Sequence, residues 1–230
     1  MFLTVSKFKA KGIPINEHIL NILKAGLSAA PFTGAIASLM TDYIPTSRAN
    51  RLEQFAEQIA EDLLRLQNQV DSNYLQTDEF AFMFERCFRA VAENPQKEKL
   101  EAFRGILINS AIRRDLTGEE KEYYLNLALS LTTLHIRILR FMATPEDYLG
   151  AAGIPQSNIQ GGFSQFFPIA LPGIKLDVIH SAFDELFRYG LLNTDKLIFN
   201  TMTSAYGLQL LRGRVTELGQ RFIMFCIVPR

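Results

Sequence analysis

From Ser47 onward, apolar residues return at steps of three and four: Leu52, Phe55, Ile59, Leu63, Leu66, Val70 and Tyr74. That spacing puts them on one face of a helix. Glu53, Glu57 and Glu61 fall opposite, and Glu61 stands one turn before Arg65, where the two can pair. The pattern predicts a single helix of roughly seven turns, started by Thr46 or Ser47 just after Pro45 and reaching Tyr74. The three glutamates read as its solvated face.

The same period continues. Thr77-Asp78-Glu79 opens a second helix, with Phe80, Met83, Phe84, Cys87, Phe88 and Val91 on one side, and Asn94-Pro95 closes it. A third helix is expected from about Gln96 to Ala111, with Leu100, Phe103, Ile106 and Leu107 inward. Thr117-Gly118-Glu119-Glu120 has capping-box spacing and opens a fourth through Tyr124, Leu127 and Leu131. Thr132-Thr133 marks a kink or a fresh cap before Leu134, Ile138, Leu139 and Met142. Thr144-Pro145-Glu146-Asp147 combines a cap, a first-turn proline and first-turn acids, so a short helix follows. Residues 47–143 thus predict a compact antiparallel bundle around Phe55, Ile59, Leu63, Phe84, Phe88, Phe103, Leu107, Leu127, Leu139 and Phe141.

The pattern then changes. Tyr148 to Ile174 contains no charged residue but has the cluster Phe163, Phe166 and Phe167. A solvated linker would be polar, so this is expected to be an apolar connector that packs on the bundle or lies in a subunit contact. Beyond it, Val178 to Phe187 is amphipathic at helical spacing, burying Val178, Ile179, Ala182, Phe183, Leu186 and Phe187, and it stops at Gly190. A threonine-rich stretch and Arg214-Val215-Thr216-Glu217-Leu218-Gly219 read as a strand leading into a closing helix. The expected architecture is mainly α: a helical bundle over residues 1–147 that includes an apolar N-terminal helix pair, the connector at 148–174, and a small α+β winged-helix-like domain at 175–230.

Ahead of the bundle, Ala25 to Thr41 is a run of seventeen uncharged residues. A membrane-spanning helix needs about twenty predominantly apolar residues, and Pro31, Ser28, Thr33 and Ser38 weaken this one. Gly26, Ala30, Gly34 and Ser38 recur every four residues, which suits close helix approach. The segment is expected to be buried in the resting bundle, with membrane insertion on activation as its alternative use. Lys7, Lys9 and Lys11 loosely resemble the start of a signal peptide, but Glu17, His18 and Lys24 interrupt its apolar part. A cytoplasmic location is expected, with membrane association only on activation.

Composition narrows the chemistry. With 24 basic and 24 acidic residues the formal net charge is zero, unlike a dedicated nucleic-acid coat, and 48% hydrophobic content with 18 Phe suffices for a continuous core. Cys87 and Cys226 both sit in apolar helical patterns and read as small buried hydrophobes. His18, His135 and His180 each lack a second ligand at metal spacing, and Gly161-Gly162 lacks the lysine of a phosphate loop. No nucleophile elbow or cysteine–histidine arrangement stands out. No catalytic residue, metal or cofactor is assigned.

The helix before the expected wing offers Asp177, His180, Ser181, Asp184, Glu185 and Arg188 to solvent. Its three carboxylates would repel phosphate, so nucleic acid is disfavoured and a protein-contact use is preferred. The candidate interaction surface comprises Phe163, Phe166, Phe167, Asp177, His180, Asp184 and Arg188.

The segments Lys99-Leu100-Glu101-Ala102-Phe103-Arg104-Gly105-Ile106-Leu107-Ile108-Asn109-Ser110 and Leu134-His135-Ile136-Arg137-Ile138-Leu139-Arg140-Phe141, with the terminal Thr216-Glu217-Leu218-Gly219, resemble bacterial abortive-infection alpha (Abi-alpha) proteins. The resemblance covers residues 75–145 and that terminal motif. It implies a helical protein in a bacterial, phage-defence context and supplies no catalytic residues. The expected function is non-enzymatic, through contacts within a homo-oligomer or with another protein. The alternatives are a membrane-inserting effector using residues 25–41 and a winged-helix transcriptional regulator.

Overall fold

The computed structural model describes residues 46–200 and 207–229, and the described chain is mainly helical. Ten helices follow in order among those residues: α1 (Thr46–Arg65), α2 (Asp78–Glu93), α3 (Lys97–Ile112), α4 (Gly118–Ser130), α5 (Thr133–Ala143), α6 (Pro145–Ala152), α7 (Phe163–Ala170), α8 (Leu176–Arg188), α9 (Gly207–Arg212) and α10 (Glu217–Phe225). Short 3-10 turns lie at Tyr74–Gln76, Gln156–Asn158 and Lys196–Asn200. The apolar N-terminal stretch, with Gly26, Ala30, Gly34 and Ser38, lies outside the described residues.

The capping signals act where the sequence puts them. Thr77 Oγ1 accepts from Phe80 N, Thr117 and Glu120 form a reciprocal box, and Thr132 caps α5 as a fresh helix rather than marking a kink. Thr144 differs: its hydroxyl donates back to Arg140 O at 3.1 Å, leaving α6 to start on Pro145. The first helix is shorter than expected. It stops at Arg65, where the backbone tightens into turn bonds from Gln67 N to Leu64 O and from Gln69 N to Leu66 O. Beyond that turn Asp71 Oδ1 accepts from the backbone N–H of Asn73 (3.0 Å) and Tyr74 (3.3 Å), which competes with a return to helix. Tyr74 then begins the first 3-10 turn. Arg65 turns to Asp62 at 3.0 Å, not to Glu61 as the spacing suggested.

Packing centres on α5. Helices α1, α2 and α3 pack on one another and α4 lies on α3, while α5 contacts α3, α6, α8, α9 and α10. Its Ile136, Ile138, Leu139, Phe141 and Met142 are all buried. One continuous apolar cluster runs from Leu52 in α1 to Cys226 after α10. The uncharged stretch 148–174 belongs to it. Phe163, Phe166 and Phe167 are fully buried, with ring centroids 5.4 and 6.1 Å from Phe141 for Phe167 and Phe166, and 5.6 Å from Phe199 for Phe163.

The C-terminal region departs from the expected winged helix. Gly190, at φ 72°, ends α8, and Leu191 N donates back to Leu186 O. Among the described residues the only pairing of strand type is one antiparallel bridge, Leu192 with Val215, extended by Asn193 N donating to Arg214 O. No strand forms there. Lys196–Asn200 coils instead, because Phe199 turns inward onto Phe163 and Phe167, with Ile198 buried beside it in sequence. The α+β part of the expectation is therefore replaced by helices α8 and α10, both seated on α5.

Three helix C-termini are closed by side chains from neighbouring helices. Arg51 donates to Val91 O (2.8 Å) and Ala92 O (2.7 Å) at the end of α2. Lys99 Nζ, buried, donates to Ala128 O and to Leu129 O (3.2 Å) at the end of α4. Asn109 Nδ2 donates to Phe225 O (2.9 Å) and Ile227 O (2.8 Å) beyond α10. Gly105 makes the last contact feasible, since a Cβ there would collide with the Cys226 carbonyl.

Phe88 stacks on Phe84 at 4.2 Å, meets Phe55 edge-on at 5.1 Å, and is 1% exposed. Phe88→Ala should lower unfolding free energy by about 3 to 5 kcal/mol. Chemical denaturation followed by circular dichroism measures it, and an unchanged midpoint would contradict this packing.

Candidate interaction face

Helix α8 buries Ile179, Ala182, Phe183 and Leu186, and the Phe183 ring meets Phe163, Phe167 and Phe199 edge-on. The inward stripe is narrower than the sequence pattern indicated. Val178 and Phe187 lie on its two flanks, and they are 47% and 41% exposed rather than buried. A helix resting on one layer buries only about a third of its circumference, which these two positions overstep.

The outward face combines apolar and charged groups. Asp177, Ser181 and Arg188 are exposed, while His180, Asp184 and Glu185 are half-buried. Asp184 Oδ2 lies 3.1 Å from Lys196 Nζ, and this bond holds its carboxyl below the usual carboxylate range. The His180 ring packs at 4.3 Å from that of Phe199. Tyr189 and Leu197 are exposed at 41% and 63%. Of the nine large apolar side chains exposed among the described residues, four (Val178, Phe187, Tyr189, Leu197) belong to this twenty-residue segment, and the other five are spread over α1, α2, α4, α7 and α10. That concentration distinguishes this face from ordinary surface. A shallow cavity of about 290 Å³ is lined by Glu185, Arg188 and Tyr189.

The candidate residues thus separate. Asp177, His180, Asp184 and Arg188 share α8. Phe163, Phe166 and Phe167 form the floor beneath it and are inaccessible in the folded chain, so they support the face without belonging to it. Tyr189 and Leu197 join the face although the hydrophobic pattern does not mark them, and Val178 and Phe187, which the pattern assigns to the core, lie on its flanks. For Tyr189 the available signal was its place beside Gly190, past the last inward residue of the helix.

Beneath the same face His135, 4% exposed, occupies the third position of α5. Its Nδ1 accepts from Thr132 N at 3.0 Å, which leaves the proton on Nε2, 3.1 Å from Glu185 Oε2. Burial lowers its pKa against the opposing pull of Glu185 from α8, and Lys99 from α3 adds to the lowering.

A second polar cavity, about 410 Å³, lies between α1, α3 and α5 under residues 226–229. Each of its charges has a partner, with one more cation than anion along the lining: Arg104 holds Asp62 with two bonds (2.6 and 2.9 Å), Arg65 shares the same carboxylate at 3.0 Å, and Arg140 meets Glu101 at 2.9 Å. Asp62, 3% exposed, stands on the inward face of α1 between Ile59 and Leu63, and that position was the overlooked sequence signal. Cys87 and Cys226 are buried free thiols whose pKa burial pushes up, so both stay protonated. Among the described residues no group of three or more His, Cys, Asp or Glu is placed to hold a metal, and no helix is long and apolar enough to cross a membrane.

Because His135 titrates lower in the folded state than its ordinary unfolded value of about 6.5, the unfolded chain takes up its proton first. Stability should therefore fall as pH drops below that value. His135→Gln should flatten this part of the curve of midpoint against pH, and an unaltered slope would show that His135 is not the titrating group.

No family model, curated protein or solved structure matches the chain, so what the α8 face does follows from its geometry and chemistry.

Proposed function

We propose that this chain is a non-enzymatic protein that acts through protein–protein contacts made by the outward face of α8 and the turn that follows it. The observation that carries this reading is the clustering of Val178, Phe187, Tyr189 and Leu197 around Asp177, Asp184 and Arg188 on a rigid support. Aromatic residues and arginine on a well-packed base are the usual anchors of protein interfaces. The floor of buried phenylalanines fixes the helix, so little ordering cost is added on binding. The resemblance to abortive-infection alpha proteins supports phage defence as the setting for these contacts.

On α8 a duplex would meet three carboxylates, Asp177, Asp184 and Glu185, against one arginine, Arg188. A DNA mobility-shift titration at physiological salt should accordingly show weak, sequence-independent binding. A tight complex that Arg188→Ala or Arg214→Ala weakens would favour a transcriptional regulator instead.

The contact reading is tested by a photo-crosslinking residue placed at 187 or 197 and, as a control, at position 123 of α4, whose exposure lies between theirs. Discrete covalent adducts should form from the first two sites in cells that express the protein, and not from the third. Adducts from 123 alone, or from none of the three, would sink the reading. In a bacterial culture carrying the chain, Phe187→Glu should also remove any reduction in phage plating.

A further inference from the structure

We infer, on the reading that this face is a protein contact, that its partner is a second copy of the chain, with α8 pairing antiparallel to its counterpart across a two-fold axis. The central outward stripe of α8 is Asp177, Ser181, Asp184 and Arg188, at helical spacings of four, three and four. Its acid stands in the first turn and its base in the last. They are separated by about 16 Å along the axis.

A two-fold axis running between the two helices at the level of residues 182–183 brings each Asp177 onto Arg188 of the second copy and each Ser181 onto its Asp184. The flanks match as well, because a two-fold axis perpendicular to both helices sets each flank against the same flank of the other copy. Val178 then meets Tyr189 of the second copy along one edge, and His180 meets Phe187 along the other. All four of these side chains are at least partly exposed. Where the two Asp184 carboxylates approach, each already has its own Lys196 at 3.1 Å, so the centre carries no uncompensated repulsion. The helix dipoles also oppose each other favourably in this arrangement.

The mixed sign of the face is what selects the occupant. An acidic ligand would clash with Asp177 and a basic one with Arg188, whereas a surface carrying the same alternation in reverse satisfies both ends. The chain itself presents that surface, as an isologous contact requires. A thirteen-residue helix covers less than the roughly 800 Å² per partner of a standard interface. Leu197 and Tyr189 extend the contact, and the dimer is a weak, salt-sensitive one.

Sedimentation of the full chain across about 5 to about 500 µM should show a mass rising from 26.0 kDa toward twice that value. Asp177→Arg and Arg188→Asp, both at exposed positions, should each weaken association about tenfold or more by placing like charges together. The double reversal Asp177→Arg with Arg188→Asp restores the opposite-sign pair and should recover most of the loss. Circular dichroism confirms that all three variants keep the fold. A single 26.0 kDa species throughout, or a double reversal no stronger than either single change, overturns the self-pairing. Crosslinked adducts from positions 187 and 197 whose mass is not twice that of the chain would overturn the second copy as partner while leaving the contact reading in place.

Discussion

The last carbonyls of a helix have no partner within it, and this fold depends on how they are satisfied from outside. Helices α2, α4 and α10 end without a left-handed glycine to turn the chain back on itself. Arg51, Lys99 and Asn109 reach across from α1 and α3 to accept that task, each binding two terminal carbonyls. Each bond is also a tertiary contact that fixes one helix against the end of another. The buried Lys99 ammonium is stabilised where the dipole of α4 is negative, although burial lowers its pKa. Registers that apolar packing alone would leave loose are thereby fixed by directional bonds.

Around this frame α5 serves as a post shared by the two halves of the chain. Its apolar side meets α3, and its other surfaces meet α8, α9 and α10. The phenylalanines of α7 fill the space between the post and α8 and join it to Phe199. The placement of α8 is therefore decided by residues distant in sequence, and the polar character of its outer face costs the core nothing.

Much of the fold could be read in the sequence because its signals are local. Thr77, Thr117 and Thr132 announce helix starts through bonds spanning three residues, and Gly190 announces a stop through its own backbone. The bundle core was legible for the same reason, since Phe84 and Phe88 on α2, and Phe103 and Leu107 on α3, each repeat at the helical period. What stayed hidden depends on separation. The Asp62–Arg104 pair spans 42 positions, and Asn109 finds its carbonyls 116 and 118 residues away. The strand expected near 192 and 215 has suitable local residues, yet Phe199 gains more by entering the aromatic cluster than by extending a ladder. On α8 the period correctly identified an amphipathic helix but not the width of its buried stripe, because that width is set by the curvature of the surface beneath.

The clasp of Asn109 on the carbonyls beyond α10 has a consequence for the order in which the molecule is assembled. A ribosome releases α3 more than a hundred residues before the carbonyls of Phe225 and Ile227 exist. Through that interval Asn109 Nδ2 keeps only its bond to Gly105 O within α3 (3.0 Å), and the Gly105 notch stays uncovered. The helices from α1 to α4 have local partners and can gather early, but the post α5 lacks the covering that α10 supplies. Until residues 217–227 emerge, synthesis therefore proceeds with one side of the core open, and closure waits for that segment. Long-range closure of this kind is slow compared with helix pairing, so the nascent protein exposes apolar surface for longer than its helical content alone would suggest.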